Sequence, residues 1–524
     1  MSYFNSYYLF IVLPIIFLIY NLIPKKRNVF LFIINLLFFV FISRQYVIFL
    51  LITIISVFLT AKKISLIDSE KEKILLKKKI DKKEIEKEYK RKKKKFLVLC
   101  IILNFSFLFV FKYLVFFFEN INLLFDFLNL DANLKIIKFI SPIGISFYTL
   151  TAFSYLLDVY NGKIKASNSF LEVALFISYF PQIIEGPMTR FSDTAHDLYT
   201  CKKITYKNLC YGYQRILYGF FKKKIIADRM NILVDLVFTN YTSYSGFSTF
   251  LGAMVYTIML YMEFSGTMDI VMGTSNVFGI NMCENFRQPF FSKNISEFWT
   301  RWHISLGLWF KDYIYYPISL SKPLKKLTVK LRHKVGNYYG PVLSGGIALF
   351  VVWFLNGLWH GAGYTYLFFG MYHFILILIG NLFNPVITNI CKKLKINREN
   401  IFYRIFQSVK VAILVFFGEL FFRAPSMSVG IYMFKQILFN FKINKSELFN
   451  LGLDIWDLII LFISLGLVLV LSLMKENGID VRNKISKKKI YVRWLIWYTI
   501  IFFIILFGAY GPGYVPLDPI YADF

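Results

Sequence analysis

Two histidines carry the strongest chemical signal in this sequence. His303 lies within Glu297-Phe298-Trp299-Thr300-Arg301-Trp302-His303-Ile304-Ser305, and His360 within Asn356-Gly357-Leu358-Trp359-His360-Gly361. A neutral imidazole can take the proton of a hydroxyl near neutral pH, so each is a candidate general base. His360 ends a nearly uncharged apolar run, 341–359, on which Trp353, Asn356 and His360 share a helical face at i, i+3, i+7. An ionisable group at the edge of a membrane span is costly to keep there and marks a functional site by default. Gly357 and Gly361 flank the ring and predict open space through which a substrate reaches it. For His303, the stretch 296–312 reads as helical, with Glu297 and Arg301 at ion-pair spacing. Trp299, His303 and Phe310 fall on one face of it, Trp302 and Trp309 on another. Structural readings stand beside both. His303 can be the polar tip of an aromatic belt at the headgroup level, and His360 can simply bond a neighbouring helix.

Polar residues interrupt three other apolar stretches. Ser141-Pro142-Ile143-Gly144-Ile145-Ser146-Phe147-Tyr148 opens a run that ends at Asp158-Val159-Tyr160. Gln182, Glu185 and Arg190 lie around Pro181 and Pro187, which deny helix continuation and predict a backbone lining a cavity. Phe264-Ser265-Gly266-Thr267-Met268-Asp269 starts another run. Each also reads as packing plus a cap. His196, His333 and His373 have no comparable setting. The cysteines Cys100, Cys201, Cys210, Cys283 and Cys391 are odd in number and lack CxxC spacing, so neither a disulfide framework nor a metal site is expected.

The elements that must position these residues are membrane helices. Of 524 residues, 57% are hydrophobic and 20% aromatic, too apolar for a soluble domain. Apolar runs at about 7–23, 29–43, 46–61, 96–118, 137–157, 244–262, 265–280, 341–359, 364–383, 402–422, 456–474 and 491–510 are candidate spans. The class is an all-α polytopic integral membrane protein of about twelve spans, with 170–187 as a re-entrant segment. The N-terminus reads as a first span, with no basic region or cleavage site of a signal peptide. The net charge of +30, from 61 basic and 31 acidic residues, would suggest nucleic acid in a soluble protein. Here the basic residues gather between apolar runs, so the expected partner is the bilayer and nucleic acid is excluded. With the N-terminus outside, the basic clusters 25–27, 62–95, 222–224, 322–334, 392–398 and 482–489 all fall inside. Both termini then face outward from the cell membrane. His303 lies toward the cytoplasmic entrance, and His360 on a span end facing the other way. The charged stretch 62–95 reads as a solvated helical loop, with a partner-docking arm as its alternative. No internal repeat appears, so 1–524 is treated as a single membrane domain.

Taken together, these motifs resemble the membrane-bound O-acyltransferase (MBOAT) family, in its bacterial polysaccharide branch that includes the alginate O-acetylation membrane protein. The resemblance rests on Pro142 to Tyr148, Asp158-Val159-Tyr160, Phe180-Pro181-Gln182 with Gly186-Pro187 and Arg190, and Phe264-Ser265-Gly266 with Asp269. It continues through Asn285-Phe286-Arg287-Gln288-Pro289-Phe290, Glu297 to Ser305, Asp312-Tyr313, Gly357 to Gly361 and Phe421-Phe422-Arg423-Ala424. These cover 141–424 in matching order. The resemblance implies re-entrant and interfacial helices around a central tunnel, with His360 catalytic and His303 the second characteristic polar residue. Asn356, Trp359, Arg301, Trp302, Asp312, Gln182, Glu185 and Arg190 are the candidate substrate or tunnel residues. Glu185 departs from the small residue common before Gly-Pro, Glu263 replaces a usual Asp, and the tail 520–524 only partly matches the family's aromatic ending.

The resulting expectation is an O-acyltransferase that moves an acyl group, acetyl first, from a cytoplasmic thioester such as acetyl-CoA to the outer face. No bound cofactor is expected. The acceptor is an extracellular polysaccharide, reached directly or through a separate extracytoplasmic acetyltransferase or synthase complex. D-alanyl transfer to teichoic acid from an acyl carrier protein is a close alternative. A non-enzymatic transporter of an acylated carrier, with the histidines lining its path, belongs to a different class.

Overall fold

The computed structural model describes residues 11–77 and 82–510. Among them the ordered backbone is helical, with no strand. Helices α1 (Leu13–Leu22), α2 (Arg27–Ser43), α3 (Val47–Lys77), α4 (Lys82–Leu108), α5 (Leu114–Phe127), α6 (Ile145–Tyr160), α7 (Phe170–Ser178), α8 (Phe180–Ile183) and α9 (Phe191–Thr200) come first. They are followed by α10 (Tyr206–Phe220), a π-helical turn Phe221–Ala227, α11 (Asp228–Thr239), α12 (Gly246–Val277), α13 (Ile295–Arg301), α14 (Ile304–Phe310), α15 (Tyr316–Ser319) and α16 (Lys322–His360). The chain ends in α17 (Tyr364–Lys393), α18 (Ile401–Arg423), α19 (Met427–Phe439), α20 (Lys445–Phe449), α21 (Ile455–Glu476), α22 (Val481–Ser486) and α23 (Ile490–Phe507). These helices gather into two compact units, one of residues 11–213 and 271–283, the other of 214–270 and 284–510.

Eight helical stretches among the described residues are long and apolar enough to cross a membrane: Arg27–Leu76, Lys82–Phe127, Gly246–Val277, Lys322–His360, Tyr364–Lys393, Ile401–Arg423, Ile455–Glu476 and Ile490–Phe507. The chain is a multi-pass membrane protein. The span expected at 137–157 is instead the 16-residue α6, buried along nearly its whole length, and so a core helix. The spans expected at 244–262 and 265–280 are one continuous helix, α12, of 32 residues. Gly266 does not break it. A Cβ there would stand 2.9 Å from the Gly219 carbonyl oxygen, so this glycine lets α10 and α12 approach.

In the first unit, Leu50, Ile54, Val57, Ala61 and Ile64 form a fully buried stripe on α3, packed with α4 and α6 residues such as Leu97, Cys100, Ala152 and Tyr155. Beyond the apolar run, the described residues of the charged stretch are helical, α3 to Lys77 and α4 from Lys82, as expected. Ile67, Ile85 and Tyr89 join there in a small core, and Lys93 pairs with Asp68 at 2.9 Å. The stretch 170–187 contains a break: α7 stops at Tyr179, whose ψ is 111°. Buried Asn35 of α2 accepts the Phe180 N–H freed there and donates to Ser178 Oγ.

In the second unit, Lys222, Lys223 and Lys224 are 4%, 0% and 3% exposed, so they are not the solvent-facing basic loop expected from sequence. They lie in the π-helical turn, paired with Asp269, Glu263 and Asp228 respectively. Burial of three ammonium groups is tolerated because each meets a carboxylate. This cluster therefore drops out of the charge-side argument for orientation.

Candidate active site

Helix α13 starts on an Asn294 cap whose side chain accepts the Glu297 N–H at 2.8 Å, while Glu297 Oε2 accepts the Lys293 N–H. The single helix expected over 296–312 does not form. Trp302 is extended (φ −106°, ψ 129°), and His303 is left-handed (φ 47°, ψ 51°) at the start of α14. The break is held by contacts remote in sequence. Asn285 O accepts the Ile304 N–H and Arg301 O accepts the Arg287 N–H. Asn285 Oδ1 accepts the Ser305 N–H at 3.1 Å and the Ser305 hydroxyl at 2.8 Å.

That anchor also sets the histidine. Asn285 is fully buried, and its amide nitrogen points at Met268 Sδ, 3.2 Å away. Its Oδ1 is therefore an acceptor, and His303 Nδ1 at 3.2 Å must donate to it. The imidazole carries its proton on Nδ1, which leaves the basic lone pair on Nε2. His303 is 4% exposed. Burial penalises the imidazolium and pulls its pKa from 6.5 down to about 3. The Phe264 ring meets His303 edge-on, with centres 4.8 Å apart.

His360 is the last residue of α16, 7% exposed. Its ring packs against Trp359 (5.0 Å between centres), Phe422 of α18 (5.2 Å) and Phe369 of α17 (5.8 Å). Trp359 also meets His303 at 5.8 Å. The two histidines share one tryptophan, and are not at opposite ends of a passage as expected. Reading depth from the following basic segment misplaces His303, because 322–334 forms a helical arm that turns back at Gly336 (φ +91°), where Thr328 donates to Ser344 Oγ at 2.8 Å, and says nothing of how deep the α13–α14 break lies.

The other candidates divide. Asn356 stands one turn before His360, and its buried Oδ1 has no hydrogen-bond partner. Arg301 pairs with Glu297 (2.8 Å), the expected i, i+4 partner, and with Glu476 (2.9 Å). Trp302 stacks on Phe298 at 5.5 Å, boxed by Tyr261, Phe286 and Phe290. Asp312 is half-buried in the π-helical turn Lys311–Tyr315. Gln182, Glu185 and Arg190 belong to the first unit. There Gln182 and Glu185 are buried, and Gln182 accepts from Thr189. The same unit joins two sequence motifs: Gly144, at φ +76°, lies so near the Ile183 carbonyl that a Cβ would be 2.2 Å from its oxygen.

Gly357 and Gly361 do not open space for a substrate. A Cβ on Gly357 would stand 2.5 Å from the Tyr366 carbonyl oxygen, and one on Gly361 would stand 2.2 Å from the Tyr366 ring. Both glycines are filled by α17. His373 was passed over in the sequence, yet it is fully buried. It accepts the Trp299 indole N–H on Nδ1 at 3.3 Å and packs on Trp353 and Phe369. The available signal was an ionisable residue inside an apolar span.

The model of the MBOAT, membrane-bound O-acyltransferase family, matches residues 159–330. The chain is 32% identical over 376 residues to a probable alginate O-acetylase AlgI of Pseudomonas syringae pv. tomato, covering 71% of this chain and 66% of that protein. It is 31% identical over 317 residues to a peptidoglycan O-acetyltransferase of Helicobacter pylori (56% and 55%). It is 32% identical over 246 residues to a teichoic acid D-alanyltransferase of Bacillus subtilis (47% and 60%). In each case the match spans less than two thirds of the relative's length.

Proposed function

This chain belongs to the membrane-bound O-acyltransferase family, and from that premise we propose that it transfers an acyl group from a thioester donor to a hydroxyl of an extracytoplasmic polysaccharide or of a partner transferase. The observation that carries the reading is the convergence of His303 and His360 on Trp359. His360 acts as general base. It takes the acceptor hydroxyl's proton as the oxygen attacks the thioester carbonyl, a C–O bond forms, the C–S bond breaks, and the thiolate leaves with the proton returned. His303, neutral at working pH, presents the Nε2 lone pair as a hydrogen-bond acceptor that orients the donor. Asn356, one turn from His360, offers a second acceptor at the same end of α16.

Acetyl is the favoured group. The alginate acetylase relative matches 71% of this chain, the D-alanyltransferase relative 47%. The test is a His360→Ala chain in membranes supplied with labelled acetyl-CoA, and in parallel with a D-alanyl carrier protein. Loss of transfer from acetyl-CoA is the expected result. Retained transfer sinks the catalytic role of His360, and passage of label without covalent transfer would favour a transporter.

A further inference from the structure

Arg215 and Tyr218 lie one turn apart on α10, and Lys222 follows them in the π-helical turn Phe221–Ala227. Asp269 of α12 accepts from Arg215 Nε at 2.9 Å and pairs with Lys222 Nζ at 2.7 Å. Ser265 Oγ accepts a further Lys222 hydrogen bond at 2.9 Å. Lys475, in the last turn of α21, is exposed and makes no ion pair among the described residues. Its ammonium lies 5.3 Å from the Tyr218 ring centre, and Lys222 Nζ lies 4.9 Å from the same centre. Three cations therefore gather around one buried carboxylate and one aromatic ring.

The free half of the Arg215 fork is engaged by an outlying group. Nη1 and Nη2 donate to the two oxygens of Glu284 at 2.9 and 2.6 Å. The Glu284 side chain is 61% exposed, that of Arg215 only 15%. A guanidinium fork that fits a carboxylate fits a pair of phosphate oxygens equally well. An ion pair with so exposed a partner contributes little, so a more highly charged group can displace it readily.

We infer that Arg215, Lys222 and Lys475 form a phosphoryl-binding site, in which the ligand's oxygens replace Glu284 on the Arg215 fork. The ligand is the phosphorylated arm of the acyl donor, an identity that rests on the acyl-transfer reading above. Helix α12 links the two places. Its Phe264 packs on His303 and its Met268 receives the Asn285 amide, while the next residues in each case, Ser265 and Asp269, hold Lys222. A donor anchored by its charged end at Lys222 thus lies within two helical turns of the residues that orient His303. An anionic lipid headgroup carries the same phosphoryl chemistry, and the experiment separates the two.

The full chain is placed in nanodiscs of phosphatidylcholine, and binding of coenzyme A is measured by equilibrium dialysis. Lys475→Ala should weaken binding about tenfold, and Glu284→Gln should tighten it about threefold by removing the internal competitor. Both positions are exposed, so folding is not at stake. Wild-type binding in both variants overturns the site. Loss of coenzyme A binding in phosphatidylglycerol nanodiscs, with labelled phosphatidylglycerol retained by wild type and not by Lys475→Ala, assigns the site to lipid and overturns the donor. In transfer assays the Lys475→Ala defect should fall on donor KM and not on kcat. Passage of label without covalent transfer defeats only the acyl-transfer reading, because coenzyme A binding in the Lys475 and Glu284 variants is read without turnover.

Discussion

His303 holds a left-handed backbone, at φ 47°, that costs a residue other than glycine roughly 1–2 kcal/mol. Asn285 offsets this by accepting from Ser305 twice and from His303 once. Replacing Asn285 with Leu removes the acceptor that sets the imidazole tautomer. Acyl transfer should then fall about 10²-fold, the loss expected when a group that positions the donor is misplaced, read as single-turnover transfer in membranes. The buried imidazole also makes a pH prediction. Unfolded, it titrates near 6.5, and folded near 3. Between those values the unfolded chain binds the extra proton, so the stability of the fold is full above pH 6.5 and is lost as pH falls toward 3. From pH 6.5 to 5 the loss is about 2 kcal/mol. His303→Asn should reduce the slope of that limb when the thermal midpoint in detergent is plotted against pH. The residue types at this site were legible because histidine among aromatics is conspicuous. The tautomer was not, because its determinant lies 18 residues upstream and only tertiary structure brings it near.

At the scale of elements, periodicity marked the long helices well and missed their breaks. The stretch 296–312 has the spacing of one helix, yet Asn285 and Arg287 claim its backbone groups and split it at Trp302 and His303. In the opposite direction, a boundary was expected between 262 and 265, but α12 runs unbroken there and Gly266 within it serves close packing. Glycine carries both meanings, and neighbours decide which applies. The α16–α17 contact makes the contrast testable. At Gly357 a Cβ would be 2.5 Å from the Tyr366 carbonyl oxygen, part of the backbone, whereas at Gly380 nothing lies within 4 Å. Gly357→Ala must push α17 away from the end of α16 that carries His360. It should cost roughly 1–3 kcal/mol and depress transfer with it. Gly380→Ala, in mid-helix, should be neutral or stabilise by up to about 1 kcal/mol. Thermal unfolding and transfer rate measured on both variants check the pair. A similar clearance holds His373: a Cβ on Gly418 would stand 2.5 Å from its Nε2. That close approach keeps the acceptor of the Trp299 indole in place, and with it the tie between α13 and α17.

For the whole molecule, the sequence charge of +30 bears on membrane topology only where lysines are exposed. Three consecutive lysines, 222–224, look on paper like any cytoplasmic loop, and only their carboxylate partners on α11 and α12 reveal a buried network. Glu263 is the informative member. It sits mid-helix in α12, is fully buried, and pairs with Lys223, which is fully buried too. Its side chain therefore serves the core. Removing one member of such a pair leaves the other charge stranded. Glu263→Leu should destabilise the chain by about 3–5 kcal/mol, visible as a collapse of the thermal midpoint in detergent. The double variant Lys223→Met, Glu263→Leu removes both charges and keeps the volume, so most of that loss should return. If the double variant is as unstable as the single one, the Lys223 ammonium is needed by more of the network than Glu263. The second unit would then depend on the buried charges as a set, not as separable pairs.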